Sequence, residues 1–257
     1  MSGLVRRIDE RDGRWVRLVL DAPRGNLLSL AMIADLDLAL DALAGLRSLR
    51  WVTIEGAGGE FSFGAKIQEH LPEPMREVLP ATMQLVRRWL ALPVSTAALV
   101  EGRCLGGGFE LALCCDDIIA APDATFGLPE VKVGAFPPVG AALLPLRVGA
   151  SRAARAVITG QMQSAEYWHL AGLVSTVAPD RTLVETAGHW FDTQLADQSA
   201  VALSHACKAA RAGVRAQVEP LLLQLERQYL EELLATHDAA EGVQAWMEKR
   251  APLWEDR

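Results

Sequence analysis

The sequence predicts an α/β core followed by a helical C-terminal portion, and three observations carry that expectation. Short apolar runs with strand character alternate with segments of helical periodicity along the first part of the chain. From Ala153 onward the pattern is almost wholly helical, and the last 60 or so residues contain no strand candidate. Alternation followed by a helical tail is the order of an α/β core with a helical appendage.

Leu4–Ile8 and Trp15–Leu20 read as strands, the second with apolar and polar positions alternating. Pro23-Arg24-Gly25-Asn26 is a turn signal. Ser29 can cap a helix running from about Leu30 to Leu46, where apolar residues recur at three and four. Trp51–Glu55 is a strand, followed by a Gly56–Glu60 loop. A helix over Met75 to Ala91 precedes a buried strand at Thr96–Val100. Gly106-Gly107-Gly108 opens a short helix ending near Cys115, and Asp117–Ala120 is a further strand. The stretch from Ala121 to Val139 is broken by Gly and Pro and predicts no regular element.

Bulk properties narrow the function. A chain of 257 residues is long enough to bury a core without staples. Its net charge of -7, with no basic run, opposes binding to nucleic acid or to an anionic membrane surface. Cys104, Cys114, Cys115 and Cys207 form no C-x-x-C pair, which fits reduced thiols and a cytoplasmic setting. Met1 to Glu10 is polar, without an apolar signal segment, and no apolar run is long enough to span a bilayer. Histidines 70, 169, 189, 205 and 237 show no metal-ligand spacing, and no phosphate-loop, dinucleotide or zinc-protease motif appears.

Two glycine-rich turns and two acids stand out. Gly106-Gly107-Gly108 lies between a strand and a helix, where backbone N–H groups are left uncovered and can hold a negative oxygen. A tight turn with close backbone packing explains the same glycines equally well. Phe61-Ser62-Phe63-Gly64-Ala65-Lys66 could supply a second donor, though an ordinary loop suffices. Glu110 falls in the first turn of the helix after the glycines, and Glu130 in Phe126-Gly127-Leu128-Pro129-Glu130. Singly, the first is commonly a dipole partner and the second a solvated loop residue. Apolar neighbours such as Phe109, Leu111, Val131, Val133 and Phe136 predict semi-buried surroundings, where a carboxyl pKa rises.

Taken together, Leu105-Gly106-Gly107-Gly108-Phe109-Glu110-Leu111, Asp117-Ile118-Ile119-Ala120-Ala121 and Phe126-Gly127-Leu128-Pro129-Glu130 with Gly134 resemble the crotonase (enoyl-CoA hydratase/isomerase) superfamily. The resemblance spans Leu18 to Arg257, and the interval of twenty residues between Glu110 and Glu130 matches that family's acid pair. It implies a spiral of strand-strand-helix units over residues 1–195, holding the active site, and a helical trimerisation region over 196–257. It implies acyl-CoA chemistry in which Glu110 and Glu130 are catalytic and the backbone N–H groups of Ala65 and Gly107 form an oxyanion hole. Arg24, Ala65, Lys66, Ile67 and Gln68 would contact coenzyme A, with Trp246 and Lys249 reaching the CoA of a neighbouring subunit. Phe63, His70, Phe136 and Pro138 would wall the acyl pocket. No metal or cofactor is implied, coenzyme A being part of the substrate, and the assembly would be a homotrimer or dimer of trimers.

Further strings, Glu69-His70-Leu71-Pro72, Tyr229-Leu230-Glu231-Glu232-Leu233 and His237-Asp238-Ala239, resemble the branch that hydrates conjugated cyclic acyl-CoA esters in anaerobic aromatic degradation. Lys66 replaces the aspartate usual in straight-chain hydratases and Phe63 a small residue, a bulkier wall that would change which acyl groups fit. Pro138 replaces a glycine, removing an N–H, which fits a cyclic substrate better. A straight-chain hydratase or isomerase, a cyclohex-1-ene-1-carbonyl-CoA hydratase and a non-catalytic RNA- or partner-binding protein are the other readings.

Overall fold

A computed structural model describes residues 3–179 and 182–257. The chain runs β1 (Val5–Glu10), β2 (Trp15–Leu20), α1 (Leu30–Asp41), β3 (Trp51–Gly56), α2 (Pro72–Leu90), β4 (Ser95–Val100), β5 (Arg103–Leu105) and α3 (Gly107–Leu113). It continues with β6 (Asp117–Ala120), β7 (Thr125–Gly127), α4 (Pro138–Val148), α5 (Ala150–Thr159), β8 (Gln163–Ser164), α6 (Ala165–Leu170) and β9 (Thr176–Val177). The remainder is α7 (Leu183–Gln194), α8 (Ala200–Arg227) and α9 (His237–Glu248).

Among the described residues two sheets form, one ordered β1-β2-β3-β4-β6-β9 and one ordered β5-β7-β8. The β1–β2 pair is antiparallel, and from β2 to β9 the large sheet is parallel. Each pass of the chain places a strand in the large sheet and then a shorter segment in the small one. Isolated parallel bridges, Leu28 to Ala65 and Ser62 to Cys104, continue the small layer backward along the chain. That repetition is the spiral.

A parallel sheet needs both faces covered, and alternation along the strands supplies two apolar faces. Val16, Leu18, Val52, Ile54, Ala98 and Ile118 enter the main core, which α1, α2 and α4 share. Trp15, Trp51, Ala97, Leu99 and Ile119 enter a second cluster closed by Phe191 of α7. Each large side chain removed from water contributes roughly 2–3 kcal/mol.

The helical C-terminal portion joins the same main core through Val218, Leu222, Tyr229 and Leu234. The buried Arg211 of α8 is tied to it by donating to Asp116 Oδ1 at 2.7 Å and to the Val94 carbonyl at 2.7 Å.

Three sequence expectations need correction. The first helix stops at Asp41 rather than Leu46, because the chain turns over 42–45 into Gly45, whose φ is 85°. The second begins at Pro72 rather than Met75, since prolines in a first helical turn forfeit no hydrogen bond. The stretch from 121 to 139 is not wholly irregular: β7, a 3-10 turn over Pro129–Val133 and the start of α4 lie in it. Three-residue strands and single turns are too short to show a period.

Candidate active site

The turn that carries Glu130 is built by close backbone approach. Gly134 ends it with φ 70°, and a Cβ there would lie 2.5 Å from the Asp238 carbonyl oxygen at the start of α9. Gly242 of α9 packs as tightly, a Cβ on it falling 2.4 Å from the Val133 carbonyl oxygen. These contacts press the Pro129–Val133 turn inward and bury Glu130.

Glu110 projects from the first turn of α3 and is also buried. Its Oε1 accepts a 2.8 Å hydrogen bond from the Gly140 N–H in the first turn of α4. Pro138 opens that helix. It has no N–H to give, and the donors that reach Glu110 come from Gly140, with Val139 adding to them.

Both acids line one apolar cavity, which with its open mouth encloses about 710 Å³ of empty space. Leu28, Ile33, Met75, Val78, Leu79 and Val86 make most of its wall. Burial raises the Glu110 carboxyl to about 7, against which the Gly140 and Val139 N–H groups pull it down. Burial, and then the Glu110 charge, raise Glu130 well above the carboxylate range. Two such acids retain a shared proton at neutral pH. Among the described residues Glu130 Oε2 is a buried oxygen with no hydrogen-bond partner. Leaving such a group unpaired costs about 1–3 kcal/mol.

Ala65 and Gly107 border the same space. The Leu28–Ala65 bridge uses the Gly64 carbonyl and the Lys66 N–H, so the Ala65 N–H faces away from Leu28. Gly106 holds φ 49° and ψ -128°, a conformation that glycine adopts readily, and turns the Gly107 N–H out of the backbone ladder. Neither the Ala65 nor the Gly107 N–H donates to another described residue. A Cβ on Gly107 would begin 3.5 Å from the Ala65 nitrogen, so the two donors flank one small volume. Paired N–H groups of this kind stabilise an oxyanion.

Of the residues expected in the acyl wall, His70, Phe136 and Pro138 line the cavity. Phe63 does not. Its ring packs against Gly25 and lies under the Arg103 guanidinium, 3.9 Å from carbon to ring centroid, an attraction that holds it on the other side of the turn. Lys66, Ile67 and Gln68 follow Ala65 in the chain but do not line the cavity; Lys66 and Gln68 are exposed, and Lys66 pairs with Glu69 at 3.4 Å. Arg24 is exposed in a separate surface depression with Asp21 and Glu60. Trp246 and Lys249, exposed at the end of α9, do not line the cavity.

Two participants were missed. Gly140 acts through its N–H, which carries no side-chain signal. Tyr229 enters the cavity from the helical tail, where a π-helical turn over Gln228–Glu232 follows α8; its string Tyr229–Leu233 carried the resemblance, but no site role was assigned to it.

Comparison with known proteins agrees with this geometry. The model of the enoyl-CoA hydratase/isomerase family matches residues 15–257. The chain is 40% identical over 248 residues to a cyclohexa-1,5-dienecarbonyl-CoA hydratase of Thauera aromatica, covering 96% of this chain and 95% of that one. It is 35% identical to the 2,3-dehydroadipyl-CoA hydratase of Escherichia coli K12, covering 97% and 98%. The crystal structure of an enoyl-CoA hydratase from Mycobacterium avium subsp. paratuberculosis superposes with a TM-score of 0.87 at 27% identity, over 99% of both chains. The spiral, the two buried acids on one cavity and these matches together place the chain in the enoyl-CoA hydratase/isomerase family.

Proposed function

We propose that this chain hydrates a conjugated cyclic acyl-CoA thioester, converting cyclohexa-1,5-diene-1-carbonyl-CoA to 6-hydroxycyclohex-1-ene-1-carbonyl-CoA in the anaerobic degradation of aromatic acids through benzoyl-CoA. The observation that carries the reading is the buried Glu110–Glu130 pair, one oxygen of which is unpartnered, beside two free backbone donors. The 40% identity to the Thauera enzyme supports the ring as the acyl group.

The thioester oxygen lies against the Ala65 and Gly107 N–H groups. One glutamate takes a proton from water while the water oxygen bonds to a ring carbon, and electron density moves onto the thioester oxygen. The other glutamate, protonated beforehand, delivers its proton to a second ring carbon as the density returns. One water is added in total, and the glutamates exchange protonation states. Each oxyanion donor lowers the barrier by about 3 kcal/mol. No step calls for a metal or redox group.

Coenzyme A lies along Lys66, Ile67 and Gln68, with Arg24 toward its phosphates. In a trimer or dimer of trimers, Trp246 and Lys249 meet the CoA bound by a neighbour, a role that suits their exposure outside their own cavity.

A second reading, a straight-chain enoyl-CoA hydratase, is favoured by the 35% identity to the dehydroadipyl-CoA enzyme. Turnover of purified CoA esters separates the two. The cyclic dienoyl ester is expected to give a kcat/KM at least tenfold above crotonyl-CoA and cyclohex-1-ene-1-carbonyl-CoA; preference for crotonyl-CoA overturns the proposal.

A further inference from the structure

The cavity holds a second polar centre that the two glutamates and the backbone donors do not use. Tyr229 is 3% exposed, and among the described residues its hydroxyl makes one hydrogen bond, to His70 Nδ1 at 3.1 Å. Both residues line the cavity. They come from distant parts of the chain and meet at its wall. His70 ends a 3-10 turn, Ile67–His70, fixed by the Glu69 carboxylate accepting from the Leu30 N–H at 2.9 Å. Tyr229 sits in the π-helical turn Gln228–Glu232, and such turns cluster at functional sites. Its ring leans on Phe136, with centroids 5.1 Å apart.

Burial lowers His70 to about 4, so the imidazole is neutral at pH 7. Burial, then the charges of Glu130 and Glu110, push the Tyr229 phenol upward, so it keeps its proton and feels both acids. A neutral imidazole nitrogen either accepts from the phenol or donates to it. In the first case the phenol oxygen keeps free lone pairs; in the second its O–H is free. Either tautomer leaves Tyr229 one unused hydrogen-bonding capacity in a wall that is otherwise mostly apolar. The group that can fill either role is another hydroxyl or water, because it both donates and accepts.

We propose that Tyr229 is a substrate-contacting residue that binds the oxygen being added, as water before addition and as the ring hydroxyl afterward, and that His70 is the positioning residue that aims it. This rests on the hydratase reading above and names the group that distinguishes product from its deoxy counterpart.

The test is a ratio of affinities, measured by calorimetry in the Glu110→Gln background so that turnover does not interfere. Wild-type wall residues are expected to bind 6-hydroxycyclohex-1-ene-1-carbonyl-CoA more tightly than cyclohex-1-ene-1-carbonyl-CoA. Tyr229→Phe should reduce that ratio about tenfold, the worth of one neutral hydrogen bond at the upper end of its range, while leaving the deoxy ester's affinity within twofold. His70→Leu should lower the ratio by a smaller factor with Tyr229 intact, and His70→Gln, whose amide donates and accepts, should restore part of it. An equal loss on both esters, or an unchanged ratio, overturns the proposal. The same measurement with 3-hydroxybutyryl-CoA and butyryl-CoA keeps the two readings apart. If cyclic esters fail to bind but the linear pair shows the Tyr229-dependent ratio, the ring assignment fails and the Tyr229 role stands.

Discussion

At the scale of single residues, the cost of burying Glu110 is visible and measurable. Its carboxyl is raised from an ordinary 4.5 to about 7. The native state therefore holds a proton that the unfolded chain has released, and stability falls as pH rises from about 4.5 through 7. The loss amounts to about 3 kcal/mol if the whole shift is realised. Glu110→Gln keeps an acceptor for the Gly140 N–H and removes the Glu110 titration, leaving that of the buried Glu130. Urea unfolding at pH 5 and pH 8 should show the wild type losing stability across that interval and the variant losing markedly less; parallel losses would contradict the account. Sequence made the acid pair legible because side-chain type and interval are printed in it. It could not disclose the Gly140 donor, which is backbone, and it misplaced Phe63, because the choice between the cavity and Arg103 is made by packing across the Gly25 turn.

At the scale of elements, the site depends on a glycine position that has no room for a side chain. Gly106 combines φ 49° with a position from which a Cβ would lie 2.7 Å from Glu130 Oε1. Gly106→Ala should cost about 1–2 kcal/mol of stability from backbone strain, and turnover should fall about a hundredfold as the Gly107 N–H and Glu130 shift. Thermal melting and CoA ester hydration check the two effects, and near-normal turnover would show that the loop geometry is not what orients the donors. The long strands and helices were readable from periodicity, with β2 and β6 recovered to the residue. The short ones were not, since β7 and the Pro129–Val133 turn owe their form to pairing with β5 and packing beneath α9.

At the scale of the whole molecule, the helical tail closes the cavity that the spiral opens. Tyr229 follows α8, and Arg211 is a polar anchor of that helix, with the Val94 carbonyl and Asp116 as acceptors. Arg211→Ala strands those acceptors and should destabilise the protein by about 3 kcal/mol, read as a lower urea midpoint; a change under 0.5 kcal/mol would show that apolar packing alone seats the helix. The helical tail was legible from the absence of strand candidates in the last 60 or so residues, whereas β8 and β9, two residues each, fall after Ala153 in a stretch read as helical, and the contribution of the tail to the cavity required the fold. The central claim, that two buried acids share the work across one cavity, is tested most directly by the rate of water addition to cyclohexa-1,5-diene-1-carbonyl-CoA with Glu110→Gln and Glu130→Gln made separately. Each variant should fold and lose at least about a thousandfold in kcat, as general acid–base groups of this kind supply; retention of activity within tenfold by either would contradict it.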